Sequence, residues 1–331
     1  MFIIPTYPLA VGFCLITMLC WGSWANTQKL AASSWRFELF YWDYVIGILL
    51  TALLIALTLG SVGTGGRPFL TDLGQADWVN LNSALLGGVI FNFANILLGA
   101  SISIAGMSVA FPVGIGLALA IGVVVNYLQL PVGNAALLFG GVALIVVAIL
   151  LNANAYRRMA RGNLSVSGKG LVLAVVSGCL MGLFYKYVAA SMFLDFNTPE
   201  PGKLSPYTAV VIFAVGIFLS NFIFNTVLMF RPFVGSPVSY RDYFRGNLRS
   251  HLMGVLGGAI WCLGMSFSII ASDQAGPAIS YGLGQGATVV AALWGIYIWR
   301  EFNNAPKGTH TLLNLMLVCY VVGLGLLIAA R

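Results

Sequence analysis

The chain has 331 residues, 60% of them apolar and only 8% charged, against roughly 25% charged in an average soluble domain. Sixteen basic and nine acidic side chains cannot clothe a soluble globule of this length. That excludes a cytosolic enzyme, a disordered chain and a nucleic-acid reader, and it makes the net charge of +7 a membrane-topology signal.

A spanning helix needs about 20 mainly apolar residues. Ten segments qualify: 8–30, 39–60, 82–104, 107–128, 133–154, 170–192, 207–230, 251–272, 275–299 and 310–330. The predicted fold is an all-α polytopic membrane protein of ten transmembrane helices. No alternation of barrel length is present. Met1–Pro8 lacks a basic region and no small-residue cleavage site follows, so segment 1 reads as a span and not a signal peptide. The five cysteines all fall inside apolar runs without a CxxC spacing, as small buried hydrophobes do.

Basic residues set the orientation. Twelve of them, Lys29, Arg36, Arg157, Arg158, Arg161, Lys169, Arg231, Arg241, Arg245, Arg249, Arg300 and Lys307, lie between an odd segment and the next even one. Three, Arg67, Lys203 and Arg331, lie on the opposite side. The twelve mark the cytoplasmic face, which places both termini outside a cell membrane. The sequon at Asn163-Leu-Ser165 then faces the cytoplasm and is silent.

The chain also repeats itself. A gapless shift of 170 residues lays segments 3–4 on segments 8–9. Leu86, Gly87, Gly88, Ile90, Ala105, Gly106, Gly114, Gly116 and Tyr127 then meet identical residues, Leu256 through Tyr297. Phe91 meets Trp261, and Phe111 meets Tyr281. The units are 1–154, a cytoplasmic linker at 155–169, and 170–331. Five spans per unit is an odd number, so the second unit enters the membrane in the opposite sense. That is an inverted repeat, with a solute site expected near the midplane between the halves.

Polar groups inside a span need a partner, a cavity or a boundary position. In chain order, segment 1 carries Trp21, Trp24 and Gln28 on one face; the alternative for Trp24 and Gln28 is an interfacial belt. Asp43 is five residues into segment 2, about 6 Å from its cytoplasmic end. It is a boundary residue or the carrier of a coupling ion. Segment 3 carries Asn92 and Asn95 a turn apart. Lys186 is about 24 Å along segment 6, where it snorkels outward or takes part in gating. Segment 7 places Asn221 and Asn225 on one face, segment 8 offers Trp261, and segment 9 aligns Tyr281, Gln285 and Thr288. For each the competing role is hydrogen bonding between helices. Neutral amides and aromatic walls suit an uncharged, hydrogen-bonding solute such as a planar ring or a sugar. His251 and His310 are expected in the solvated interface. No metal-ligand spacing, nucleophile–base motif or filter loop occurs, so neither an enzyme, a metal cofactor nor a channel is expected.

Several stretches carry a resemblance. They include Asp43-Tyr-Val-Ile-Gly-Ile-Leu-Leu with Ala56-Leu-Thr-Leu-Gly60, and Phe69-Leu-Thr-Asp-Leu with Trp78. Further along come Gly87-Gly88 with Asn95, Asn126-Tyr-Leu128, Asn225 with Pro232, Gly235 and Pro237, and Gln285 with Trp294-Gly295. In order and spacing they resemble the ureide permease family of the drug/metabolite transporter superfamily. Lys169-Gly-Leu-Val-Leu-Ala-Val and Trp299-Arg-Glu-Phe-Asn-Asn304 look more like the sister rhamnose and glucose/ribose porters. The plant members carry a long central cytoplasmic loop that is short here. The resemblance implies proton-driven import of allantoin, uracil or an oxopurine, or of a monosaccharide in the sister branch. Asp43 is then the expected proton carrier, with Na+ the alternative ion. Efflux of a lipophilic cation is a third reading, but it calls for a midplane carboxylate that the sequence lacks. Since one chain holds both halves, a monomer in the lipid bilayer with a small-molecule substrate is expected.

Overall fold

The computed structural model describes residues 1–32, 35–105, 107–159, 168–300 and 302–331. Arg161, the sequon at Asn163, most of the 155–169 linker and Gly106 of the repeat lie outside the described residues, as does the side chain of Phe111. Apart from one bridge between Met192 and Leu204, the regular structure described is helical. In chain order it comprises α1 (Tyr7–Ser23), α2 (Asn26–Leu30), α3 (Phe37–Leu57), α4 (Phe69–Gln75), α5 (Trp78–Ala105), α6 (Met107–Gln129) and α7 (Ala135–Met159). The second half holds α8 (Gly168–Ser191), α9 (Pro206–Phe230), α10 (Tyr240–Phe244), α11 (Leu248–Ala275), α12 (Pro277–Gly284), α13 (Ala287–Leu293) and α14 (Thr309–Ala329).

Eight helical runs are long and apolar enough to cross a membrane: α3, α5, α7, α8, α9, α11, Pro277–Ile298 and α14. The other two expected segments hold shorter apolar helices, α1 and Val113–Gln129. Segment 1 falls short because its helix changes pitch. Past Ser23 the backbone bonds tighten to three-residue turns, Thr27 N to Trp24 O (3.1 Å) and Gln28 N to Ala25 O (3.2 Å), before α2 resumes. Segment 9 does the same at Gln285–Gly286, where Gly286 N bonds Leu283 O (3.0 Å) and Val289 N bonds Gly286 O (2.9 Å). It then widens into a π-helical turn at Trp294–Ile298. Such irregularities are tolerated at membrane depth only where protein or a cavity covers the backbone.

The short elements are fixed by local chemistry. Ser239 and Asp242 form a reciprocal capping box that starts α10, and the Asn247 side chain accepts the Ser250 N–H to start α11. Helix packing crosses between the sequence halves. α11 lies on α1 and α3; α5 lies on α8 and α9; α3 meets α9, and α7 meets α14.

Glycine makes these seams close. A Cβ at Gly258 would collide with the Tyr44 carbonyl, and one at Gly47 with the Val255 carbonyl, along α3–α11. Along α5–α9, Gly88 faces the Phe213 carbonyl and Gly216 the Leu85 carbonyl in the same way. Two buried hydroxyls bond carbonyls of neighbouring helices: Thr17 Oγ1 donates to Gly264 O (2.8 Å), and Ser177 Oγ donates to Ala94 O (2.8 Å).

At the end opposite most basic residues, polar contacts gather the connections. The Met1 ammonium donates to Gly65 O (2.6 Å), Arg67 pairs with buried Asp72 (3.5 Å), and Asp72 accepts the Ser205 N–H (2.7 Å). At the basic end Arg36 pairs with Glu38 (2.5 Å).

Candidate functional site

A cavity of about 140 Å³ lies among α1, α5, α6, α8, α11 and the pitch change of segment 9. Its walls are aromatic: Trp21 and Trp24 from segment 1, Phe91 from α5, Phe184 from α8 and Trp261 from α11. Trp21 and Trp261 stack with centroids 5.8 Å apart and planes 12° apart, and the Trp21 indole N–H donates to Trp261 O (3.2 Å). Phe91 touches Trp261 (4.4 Å) and Phe184 (5.2 Å), so the rings form one continuous surface. A planar solute inserted between Trp21 and Trp261 would need about 7 Å, two contact distances of 3.5 Å. It must therefore lie on this surface and not inside the stack.

Three polar side chains reach the cavity: Asn95, Gln285 and Thr288. Asn95 Nδ2 donates to Tyr41 Oη (3.2 Å), which leaves its Oδ1 open. Thr288 Oγ1 bonds Gln285 O (3.2 Å) and the Tyr320 hydroxyl. The Gln285 amide has no hydrogen-bond partner among the described residues, though it is only 9% exposed. It presents a donor and an acceptor to the cavity at the point where the helix changes pitch. The lining has no charged side chain, so a charged solute would enter without compensation.

Of the residues singled out from sequence, six line the cavity: Trp21, Trp24, Asn95, Trp261, Gln285 and Thr288. Four others are buried beside it. Asn92 accepts from Tyr41 Oη (2.9 Å) and donates to Ser220 Oγ (2.9 Å), while Asn225 donates to Glu38 O (2.9 Å). Neither amide atom of buried Asn221 has a partner. Tyr281 donates to Met181 O (3.1 Å) and Ala118 O (3.2 Å), with its ring against Gly122. These four sit on helix seams. Lys186 is exposed on the outside of α8.

Asp43 is 2% exposed. Its carboxylate meets His251 Nδ1 (2.9 and 3.0 Å) and accepts from Tyr243 Oη (2.6 Å). His251 is therefore bonded inward through Nδ1 while its side chain stays 24% exposed, so the solvated position expected describes only part of its surroundings. Burial, and then the adjoining carboxylate, raise the Tyr243 phenol well above its ordinary value, so it remains a proton donor.

Sequence reasoning missed Phe91 as a wall residue in its own right, and also Met181, Phe184 and Ile115. The repeat alignment was the available signal, since it pairs Phe91 with Trp261 and Ile115 with Gln285.

Towards the basic end a second hollow of about 110 Å³ shares Gly22, Ala25, Thr288 and Ala291 with the first. Asn26, Lys29, Asn152 and Trp299 line it, with Lys29 over the Trp299 ring (4.7 Å) and Trp299 Nε1 bonded to Asn26 Oδ1 (2.6 Å). At the other end, buried hydroxyls bind α8, α11 and α12 together: Tyr185 to Ser268 (3.1 Å) and Ser280 (3.4 Å), and Ser268 to Ser280 (3.0 Å).

Apolar spans enclosing an uncharged, aromatic cavity are the features of a multi-pass integral membrane protein with room for a small solute. Comparison with known proteins narrows the class. The family model for ureide permeases matches residues 40–169 and 157–330, and the chain belongs to the ureide permease family. It is similar to Ureide permease 1 of Arabidopsis thaliana, at 25% identity over 100% of this chain and 99% of that protein. Ureide permease 5 of the same plant is 25% identical over 96% and 92%, and Probable ureide permease A3 of Vigna unguiculata is 22% identical over 91% and 97%. These relatives are named as permeases and not as enzymes. A solved protein crystal structure shares the fold, with a TM-score of 0.62 at 15% identity over 96% of each chain.

Proposed function

We propose that this chain is a secondary transporter that imports a small, neutral, planar solute of the ureide or nucleobase class. The observation that carries the reading is the unpartnered Gln285 amide facing an aromatic surface, with Asn95 Oδ1 open across the same cavity. A ureide or pyrimidine offers N–H donors and carbonyl acceptors in one plane, which matches a primary amide and stacks on a ring face. The names of the relatives support the same class.

The mechanism in this reading is alternating access by two inverted five-helix halves, with ten membrane-crossing segments in all. The duplicated contacts support it. Gly258 on the Tyr44 carbonyl mirrors Gly88 on the Phe213 carbonyl, and Gly47 on Val255 mirrors Gly216 on Leu85. The bonds from Thr17 and Ser177 join the helices that this reading makes equivalent, α1 to α11 and α8 to α5, with the acceptors 170 residues apart and the donors 160. The basic end is taken as cytoplasmic. The Tyr185–Ser268–Ser280 hydroxyls then close the outer side, while the shared hollow beside Trp299 leads inward. Transport is coupled to protons, and the protein acts as a monomer in a cell membrane.

Reconstituted protein should take up radiolabelled allantoin or uracil in preference to glucose and rhamnose, and an uncoupler should abolish accumulation. Preference for the sugars would replace the solute class. Uptake of none of the four would end the transporter reading for these solutes.

A further inference from the structure

Asp43 occupies the first turns of a membrane-spanning helix, where an ionised carboxylate is costly unless paired. Its partners come from two other elements, His251 from α11 and Tyr243 from α10. The Trp35 ring meets His251 edge-on (5.0 Å), and the Tyr243 ring meets it at 4.9 Å. The histidine side chain is 24% exposed, whereas that of Asp43 is 3% exposed. The imidazole therefore has an open face, and the carboxylate does not.

Other ionisable groups on the surrounding elements are engaged elsewhere or lie away from the carboxylate. Glu38, on the same helix, pairs with Arg36, and Asp242 of α10 is tied to Ser239. Lys29 of α2 lies over Trp299. Arg241 is within α10, Arg245 caps its end, and Arg249 is on the first turn of α11; none of these arginines pairs with Asp43 among the described residues.

The same helical turn reaches the solute cavity. Tyr41 Oη accepts from Asn95, a cavity residue (3.2 Å), and the Tyr44 ring packs on Trp24, another (4.6 Å). A movement of this turn that follows a change at Asp43 is felt by two walls of the cavity.

We propose that Asp43, His251 and Tyr243 form a proton-binding latch at the basic mouth, through which proton binding is coupled to solute movement. The proposal rests on the transporter reading. With Nδ1–H donating to Asp43, Nε2 is the open base. It takes one proton from water, and the pair passes from net −1 to net zero as imidazolium and carboxylate. Loss of that proton returns a net negative charge to a buried site and weakens the hold of α3 on α10 and α11. No group other than water and the imidazole exchanges the proton, and Tyr243 keeps its own.

The test uses full-length protein in proteoliposomes, with radiolabelled allantoin and uracil as probes. Accumulation driven by a pH gradient and exchange without a gradient are measured side by side. Asp43→Asn and His251→Gln should reduce accumulation to simple equilibration while retaining exchange, and Tyr243→Phe should displace the pH profile of exchange. A His251→Gln protein that accumulates solute like wild type, with the same profile, overturns the latch. A second arm needs no solute. Infrared difference spectra of solute-free protein between acidic and alkaline buffer should contain an imidazole band that His251→Gln removes and Asp43→Asn moves. Absence of that band also overturns the latch. Wild-type protein that exchanges neither probe counts against the transporter reading instead, and the infrared arm then decides the proton site alone.

Discussion

Replacing Gln285 with leucine tests the solute site directly. The side chain is 9% exposed and bonds no other group among the described residues, so the substitution breaks no bond within the protein. A neutral hydrogen bond contributes about 0.5–1.5 kcal/mol, and a solute group left unsatisfied in a closed cavity costs about 1–3 kcal/mol. A combined loss of about 2 kcal/mol corresponds to a roughly 30-fold weaker affinity at 1.4 kcal/mol per tenfold. The KM for allantoin or uracil should therefore rise about 30-fold, with the thermal midpoint in detergent unchanged. The assay is initial uptake into proteoliposomes over a range of solute concentrations, beside a thermal scan of the same preparation. A KM within about threefold of wild type, a difference of only ~0.7 kcal/mol, would refute the assignment of this amide to the solute.

Other perturbations separate packing from binding. Gly258→Ala places a methyl on the Tyr44 carbonyl and should lower stability by about 1–3 kcal/mol. Gly116→Ala, where nothing lies within 4 Å, should leave the melting point in place. Asn221→Leu removes a buried amide whose two polar atoms have no partner, so stability should hold or rise; a fall of several degrees would mean the amide has an unseen partner. Lys186→Ala, on the exposed side of α8, should leave uptake kinetics untouched, and a changed KM would return this lysine to the pathway. Trp21→Ala removes one side of the Trp21–Trp261 stack and its bond to Trp261 O, and uptake at low solute concentration should fall at least tenfold, about 1.4 kcal/mol.

Composition and the spacing of apolar runs made the helical membrane class legible, because a bilayer admits so few solutions. The 170-residue shift matched Gly88 with Gly258, both of which sit on backbone carbonyls, but it did not include Gly47 or Gly216, which do the same. Which polar residues face the cavity was less legible. Asn92 and Asn95 differ by less than one turn, yet only Asn95 borders the space, since Asn92 points into the α5–α9 seam. Likewise Tyr281 and Gln285 share a stripe, but the pitch change after Gly284 turns the glutamine to the cavity and leaves the tyrosine against Gly122. Depth along a helix set Asp43 in the first turns of its segment and left its role open between boundary residue and ion carrier. It could not reveal that His251, distant in sequence, closes over it.

The four glycine–carbonyl contacts constrain which parts of the molecule can travel together. A helix seated on another's peptide oxygen through a bare α-carbon has no side-chain cushion to slide on, so α3 with α11, and α5 with α9, are locked as pairs. Each pair takes one member from either half of the chain. Early and late stretches of the chain are therefore riveted to one another backbone to backbone, while the tightened turns at Trp24–Ala25 and Gln285–Gly286, which border the cavity, are places where the regular α-helical bonding is already interrupted.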